Sequence, residues 1–423
     1  MGELSRRSVL TAATTAALGS AVAGCSDTLQ QPRSVAGASG TAAAGKRKVR
    51  IIGDASTADT GAQPNQPHAV PLEPGETPPQ FVIFSWDGAG ETDAALFSRF
   101  LKVAEDHDAK MTFFLSGIFL LPEAKRKLYL PPHHAPGASA IGYLTDAHIR
   151  ATLEQLTKAW NAGHEIGTHF NGHFCGAGGV REWSPEDWDS EIEQAIKFVM
   201  TWKTNTGFTD LPPLPFDYRK ELIGGRAPCL EGQRNLLPTA AKRGWKYDAS
   251  SPGGMQMWPS KREGVWDYPL QAIPFPGHTF EVLSMDYNIM ANQNGGNPKG
   301  DPTKFDAWRT QATESYKAGF DRTYHTNRAP YFVGNHLETW NGGIYMDAVE
   351  QFIQQIAGTP DTRLVSFRQF TEWQEAQDPA VLRKLRTLDP GHGPTEGWKQ
   401  FLGTPGPAAP TTAPPPAGTP AHA

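Results

Sequence analysis

The run Phe81-Val82-Ile83-Phe84-Ser85-Trp86 is apolar almost without a break and is stopped by Asp87-Gly88. Side chains alternate across a strand, so a strand apolar at both parities must be covered on both faces. That points to the interior of a sheet with helices packed outside. The rest of the chain supplies the helices. From Thr92 to about His107, Leu96, Phe97, Phe100, Leu101 and Val103 recur at helical spacing, and Ala109 to Ser116 reads as a second strand. Leu144 to Ala162 predicts a helix with Ile149, Leu153, Leu156 and Trp160 on one face, followed by a short strand at Ile166. Ser184, Pro185 and Asp187 form a helix start with a capping-box pattern, ahead of a stripe of Trp188, Ile192, Ala195, Ile196 and Val199.

The alternation continues. A helix is predicted near Gln233 to Arg243, then a strand at Trp245 to Asp248, then a helix from Pro302 to about Ala318 stopped by Gly319. A strand at Tyr331 to Gly334, a helix at Met346 to Ile356 and a strand at Arg363 to Ser366 complete the series. Repeated strand-then-helix order predicts an α/β fold, a parallel sheet or barrel with helices outside. In such folds the C-terminal ends of the strands form the active face, and Asp87, His169 and His336 fall there.

The ends of the chain read differently. Ser5-Arg6-Arg7-Ser8-Val9-Leu10 resembles a twin-arginine export motif, and Val22-Ala23-Gly24-Cys25 resembles a lipobox whose Cys carries a lipid. The weakly apolar run between them is too short to span a bilayer. The expectation is a signal over 1–25 and an exported protein, held by a lipid on Cys25 to the outer face of the bacterial cytoplasmic membrane. Residues 26–78 are rich in Ala, Gly, Ser, Thr, Gln and Pro and read as a flexible tether. Residues 403–423, almost all Pro, Ala, Thr and Gly, read as a disordered tail, leaving 79–402 as a single folded domain. A net charge of -5 gives no electrostatic reason to expect nucleic acid.

Three of thirteen histidines lie within Gly163-His164-Glu165-Ile166-Gly167-Thr168-His169-Phe170-Asn171-Gly172-His173. Three residues separate His169 from His173, which lets both imidazoles converge on one ion. With Asp87 as a third ligand the set would be a catalytic rather than a structural metal site, with positions left open for water. Against this, Asp-Gly is also an ordinary turn, and His133-His134 shows that paired histidines occur without such a role.

Five motifs in order resemble the polysaccharide deacetylases of the NodB-homology type, carbohydrate esterase family four, across about Pro79 to Trp373. They are Ser85-Trp86-Asp87-Gly88, the histidine stretch through His173, Gly225-Arg226-Ala227-Pro228, Tyr247-Asp248-Ala249-Ser250 with Trp258 downstream, and Gly334-Asn335-His336. Asn327-Arg328-Ala329-Pro330 adds some resemblance to the chitin deacetylase branch. The resemblance implies a deformed (β/α) barrel and a hydrolase acting on the carbon–nitrogen bond of N-acetyl groups, on a chitin-like polysaccharide or peptidoglycan glycan. It implies a divalent metal, zinc first and cobalt or nickel as alternatives, held by Asp87, His169 and His173. His336 would be the general acid, Arg226 would orient the base, Asp248 would tune the acid, and Trp258 would stack on sugar. His164 is expected to pack structurally. O-deacetylation of acetylated xylan and a catalytically impaired carbohydrate-binding lipoprotein are the alternatives.

Where that family has two adjacent aspartates, a base and a metal ligand, this chain has only Asp87. The spacing of the following helix favours the ligand role, which is the expectation here, although Arg226 favours the base. If Asp87 is the ligand, Glu91, Asp93 or Glu338 is left to act as base. Phe170 stands where the family has Ser or Thr. Cys175 and Cys229 follow the second and third motifs, as either a disulfide or two separate thiols.

Overall fold

The computed structural model describes residues 49–403. The signal over 1–25 with Cys25, and the tail beyond Gly403, lie outside the described residues. No helix among the described residues is long and apolar enough to cross a membrane.

The centre is a five-stranded parallel sheet of β1 (Gln80–Asp87), β2 (Thr112–Leu115), β3 (Glu165–Thr168), β4 (Tyr331–His336) and β5 (Thr362–Leu364), in the order β4-β1-β2-β3. β5 pairs Gln80–Val82 and β2 pairs Ser85–Asp87, so these two share one edge of β1. The expected alternation holds along β1. Val82, Phe84 and Trp86 belong to one apolar cluster, Phe81 and Ile83 to another on the opposite face. All five are buried, each worth about 2 kcal/mol of transfer free energy. Single bridges, Thr168 to Gly225 and Met285 to Gly334, carry the sheet past β3 and β4. Among the described residues no continuous ladder closes it into a barrel.

The helices α1 (Leu96–Asp106), α2 (Asp146–Asn161) and α3 (Pro185–Met200) fall where the periodicity predicts. In α3 the Ser184 hydroxyl accepts from Asp187 N at 3.1 Å and the Asp187 carboxylate accepts from Ser184 N at 2.9 Å. Behind α4 (Asp286–Asn294), the helix α5 (Phe305–Tyr324) does not stop at Gly319. A Cβ there would meet Ile273 and the Tyr331 hydroxyl, each at 2.7 Å, so this glycine serves close packing rather than helix termination. α6 (Trp340–Ile356) begins six residues earlier than expected, through left-handed Asn341, Gly342 and Gly343, and α7 (Phe367–Ala376) follows β5.

The tether expected over 26–78 is corrected for its described part. Arg50–Ile52 and Thr57–Asp59 form a hairpin, and Ser56, Thr57 and Ala58 are buried. Gln63 Nε2 donates to the carbonyls of Trp160 (3.0 Å) and His164 (2.6 Å), Asn65 Nδ2 to Asn161 (3.0 Å) and Gln66 Nε2 to Gly163 (2.9 Å). Those carbonyls lie at the end of α2 and in the turn before β3, and the amide side chains satisfy them.

Candidate active site

Register brings the first pair of groups together. β4 runs beside β1 with His336 directly opposite Asp87 at the C-terminal ends of both strands. Asp87 and Ser85 share a parity and so one face of the sheet, and the buried guanidinium of Arg226 sits on it. Arg226 Nη1 donates to Asp87 Oδ1 and to Ser85 Oγ, both at 2.8 Å, and Nε donates to the Ala249 carbonyl at 2.9 Å. Its Cζ lies 4.9 Å from the centroid of the Phe114 ring. Burial works to raise the Asp87 pKa, but Arg226, and after it His169 and His336, hold it below the usual carboxylate range. Among the described residues nothing donates to the second oxygen of Asp87.

The histidine stretch enters from β3. His169 N donates to the Leu115 carbonyl at 2.8 Å, and Arg226 N donates to the Thr168 carbonyl at 3.0 Å, locking this turn to the Arg226 segment. His169 Nδ1 faces the Arg226 carbonyl at 2.8 Å, an acceptor only, so Nδ1 carries the proton and Nε2 keeps its lone pair. Burial pushes the His169 pKa down to about 3 and lowers that of His173. Both rings are therefore neutral at neutral pH, and their centroids stand 5.0 Å apart. His164 lies elsewhere. Its Nδ1 accepts from Met111 N at 3.0 Å, and the ring packs edge-on to Phe113.

Phe170 and His173 both have left-handed backbones, with φ of 60° and 56°. Phe170 is buried against Trp188, 4.8 Å between centroids, which explains a large ring where the resembling family has Ser or Thr. Gly172 N donates to the Tyr129 hydroxyl at 3.0 Å, which donates to the buried carboxylate of Glu191 at 2.9 Å. This chain of bonds holds the backbone next to His173.

Two imidazoles of this kind, one with its tautomer fixed, fit a borderline divalent ion. The third expected ligand is less well placed. Among the described residues, the one trio of ligand-type atoms all within 4.8 Å of one another is His173, Cys175 and Cys229, so Asp87, His169 and His173 do not close to that distance.

Two expected roles are corrected. Asp248 does not touch His336. It accepts from Ser250 N (3.1 Å) and Ser250 Oγ (2.7 Å), and Ser250 Oγ in turn accepts from Ala227 N, so Asp248 shapes the turn beside Arg226. Burial pushes its pKa up to about 7. The partner of His336 is Asp286, at the start of α4. Oδ1 accepts from His336 Nδ1 and Oδ2 from His336 N, each at 2.7 Å. Burial acts to lower the His336 pKa, and the buried Asp286 carboxylate outweighs it, so the net shift is upward. Asp286 escapes sequence reading because its helix has no apolar stripe. Its one signal is an acid at a strand-to-helix turn, just after Glu281–Leu283.

Trp258 is also corrected. It is buried, donates from Nε1 to the Asn327 carbonyl at 2.9 Å and packs near Trp373, so it offers no face to a sugar. The half-exposed Trp340 ring, 5.1 Å from His336, and the exposed Tyr287, 5.8 Å from Trp340, are the aromatics at the site. Of the other acids, Glu91 accepts from Ser98 N at the start of α1 (2.8 Å) and Asp93 pairs with His148 (3.1 Å). Glu338 is exposed, two residues beyond His336, with its pKa raised by burial of part of the carboxylate. Cys175 and Cys229 form a disulfide, Cα atoms 6.0 Å apart.

No protein-family model and no curated protein sequence matches the chain. Solved structures do. One described as a polysaccharide deacetylase from Mycobacterium smegmatis is 15% identical, with 73% of this chain and 96% of that one covered and a TM-score of 0.43. A CE4-family pseudoenzyme from Bacillus anthracis is 10% identical over 77% and 73% of the two chains, TM-score 0.37. The peptidoglycan deacetylase PdaC from Bacillus subtilis is 10% identical over 70% and 92%, TM-score 0.34. Likeness at this level leaves the assignment of function to the residues of the site. The solved structures that the chain resembles are polysaccharide deacetylases and a pseudoenzyme of the CE4 family.

Proposed function

We propose that this protein hydrolyses acetyl groups from an N-acetylated polysaccharide, chitin-like or peptidoglycan glycan, with its active site on a sheet that curves toward a (β/α) barrel. The observation that carries the reading is the His336–Asp286 pair standing opposite the Asp87–Arg226 pair on adjacent strands. A proton donor and a proton acceptor thus face one cleft, as hydrolysis of an amide requires. His169 and His173 would hold a divalent ion, zinc first, which when bound supplies polarisation of the acetyl carbonyl and a water of lowered pKa.

Asp87 has one oxygen committed to Arg226 and one open. We assign the open oxygen to abstracting the proton of the attacking water, because Arg226 orients it as the resembling family's arginine orients a base. His336, charged and anchored by Asp286, delivers a proton to the departing amine. Trp340 and Tyr287 offer apolar faces to a pyranose. Export and a lipid on Cys25 belong to the same proposal, and mass spectrometry of the mature N-terminus tests them.

A second reading rests on the same residue. With Gly88 following Asp87, one open oxygen is asked to fill two roles, and a carbohydrate-binding protein without catalysis would carry such a site. Acetate release from chitooligosaccharides and acetylxylan, measured with bound metal, separates these readings. Release from acetylxylan alone identifies an O-acetyl esterase. Metal bound without acetate from either substrate identifies the binding protein. Asp87→Asn that keeps its metal and loses activity supports the base assignment, whereas loss of metal makes Asp87 a ligand.

A further inference from the structure

Beside the hydrolytic cleft, and sharing His173 with it, lies a second cluster of metal-ligating groups. His173, Cys175 and Cys229 each present a ligand atom within 4.8 Å of the others, and His173 Nδ1 lies 3.8 Å from Cys175 Sγ. Both cysteines are exposed and His173 is half-buried, so solvent and ions reach the cluster. We infer that the reduced form of this protein binds zinc through the thiolates of Cys175 and Cys229 and the imidazole of His173, with water completing the tetrahedron.

The geometry supplies what such a site needs. Two thiolates on one zinc stand about 3.8 Å apart, from zinc–sulfur bonds of about 2.3 Å at a tetrahedral angle. Cα atoms 6.0 Å apart reach that separation by side-chain rotation alone. Three contacts keep the two loops together without the disulfide. Glu231 accepts from Gly176 N at 2.8 Å and from Arg181. Asn235 Nδ2 donates to the Trp183 carbonyl at 2.7 Å. Gly232 packs so closely on Val180 that a Cβ would stand 2.3 Å from its carbonyl oxygen. The backbone is also bent to this purpose. His173, Cys229 and Leu230 are non-glycine residues with φ near 56°, 55° and 56°, a strained conformation that tends to gather at ligand sites.

The balance is simple. An external dithiol gives two electrons and two protons to the disulfide, which opens to two thiols while the dithiol closes to its own disulfide. Zinc then displaces both thiol protons. His173 serves either this site or the one beside His169, so oxidation of the cysteines returns it to the cleft. That consequence for catalysis rests on the function proposed above, whereas the zinc site does not.

The test uses the full chain, stripped of metal, either oxidised or reduced with a phosphine that is then removed under argon. Each form is titrated with cobalt(II), a spectroscopic stand-in for zinc. The reduced protein should take up one cobalt with a thiolate-to-cobalt charge-transfer band in the near ultraviolet, and the oxidised protein should show none. His173→Ala should weaken cobalt binding at the reduced site by at least about tenfold. Zinc should protect Cys175 and Cys229 of the reduced wild type, but not Cys25, from alkylation, a readout that needs no variant. A reduced wild type with no such band, alkylation unaffected by zinc, or cobalt bound as tightly by His173→Ala overturns the inference. An intact band with no acetate released in any state sinks the proposed function and leaves the zinc site standing.

Discussion

Asp286→Asn is nearly isosteric, and its cost can be worked from three contacts. The wild-type Oδ1 accepts from His336 Nδ1–H and Tyr287 N–H and Oδ2 accepts from His336 N–H, all at 2.7 Å. An asparagine has one oxygen; kept at the Oδ1 position it still serves His336 Nδ1 and Tyr287 N, and its NH₂ then faces His336 N. That leaves a buried N–H unsatisfied, at about 1–3 kcal/mol, and removing the charge from the bond to His336 Nδ1 costs about 1 kcal/mol more. If the whole cost falls on the protonated His336 of the transition state, kcat drops between about 30- and 1000-fold. The pH profile distinguishes this from a general loss of structure. A His acid must be protonated to act, so the rate falls as pH rises through its pKa. Asp286 holds that pKa above the ordinary histidine value against the effect of burial, and asparagine releases it, so the alkaline limb moves to lower pH. Acetate release from a chitooligosaccharide, followed across pH for both proteins, is the assay. A kcat within about threefold of wild type together with an unmoved alkaline limb would refute the assignment of His336 as the acid.

Arg226→Leu strands Asp87 without its counter-charge and should cost about 3–5 kcal/mol in urea unfolding at neutral pH. Because the Asp87 pKa is depressed in the fold, the stability from this pairing is present above the unfolded value and fades as pH falls through the folded one. An equal loss at all pH would contradict the pairing. Burial pushes Glu191 up to about 7, against the bonds from Tyr129, so ionising it opposes folding and stability falls as pH rises from the ordinary carboxylate range toward 7. Glu191→Gln should flatten its part of that slope, up to about 3 kcal/mol, and an unchanged slope would show that Glu191 is ionised throughout. Trp340→Ala should raise KM with little change in melting temperature, while Trp258→Ala should cost about 3–5 kcal/mol of stability and leave KM alone; the reverse pattern would return the sugar to Trp258.

How legible the sequence was depended on range. β1 and the helices α1 to α3 follow from periodicity, and the Ser184–Asp187 box from local capping chemistry, because each is decided within about four residues. His169, His336 and Asp87 were legible as types at strand ends and Arg226 through motif order, and parallel pairing then set His336 opposite Asp87. Asp286 was not legible, since its partner lies fifty residues on and its own helix carries no apolar stripe. Asp248 and Trp258 were misplaced because motif order says nothing of where a side chain turns, and both turn into the packed interior. Gly319 looked like a helix stop, although the Ile273 and Tyr331 side chains that require a glycine there are distant in sequence.

The amides of Gln63, Asn65 and Gln66 have a consequence in time. Their acceptors lie about a hundred residues further along the chain, and Gly163, where a Cβ would stand 2.9 Å from the Asn65 carbonyl oxygen, leaves room for the crossing. As the chain emerges, this segment has nothing to bind until α2 and β3 have met. It is made about a hundred residues before its partners and waits for them, fastening from outside the strand that leads into His169.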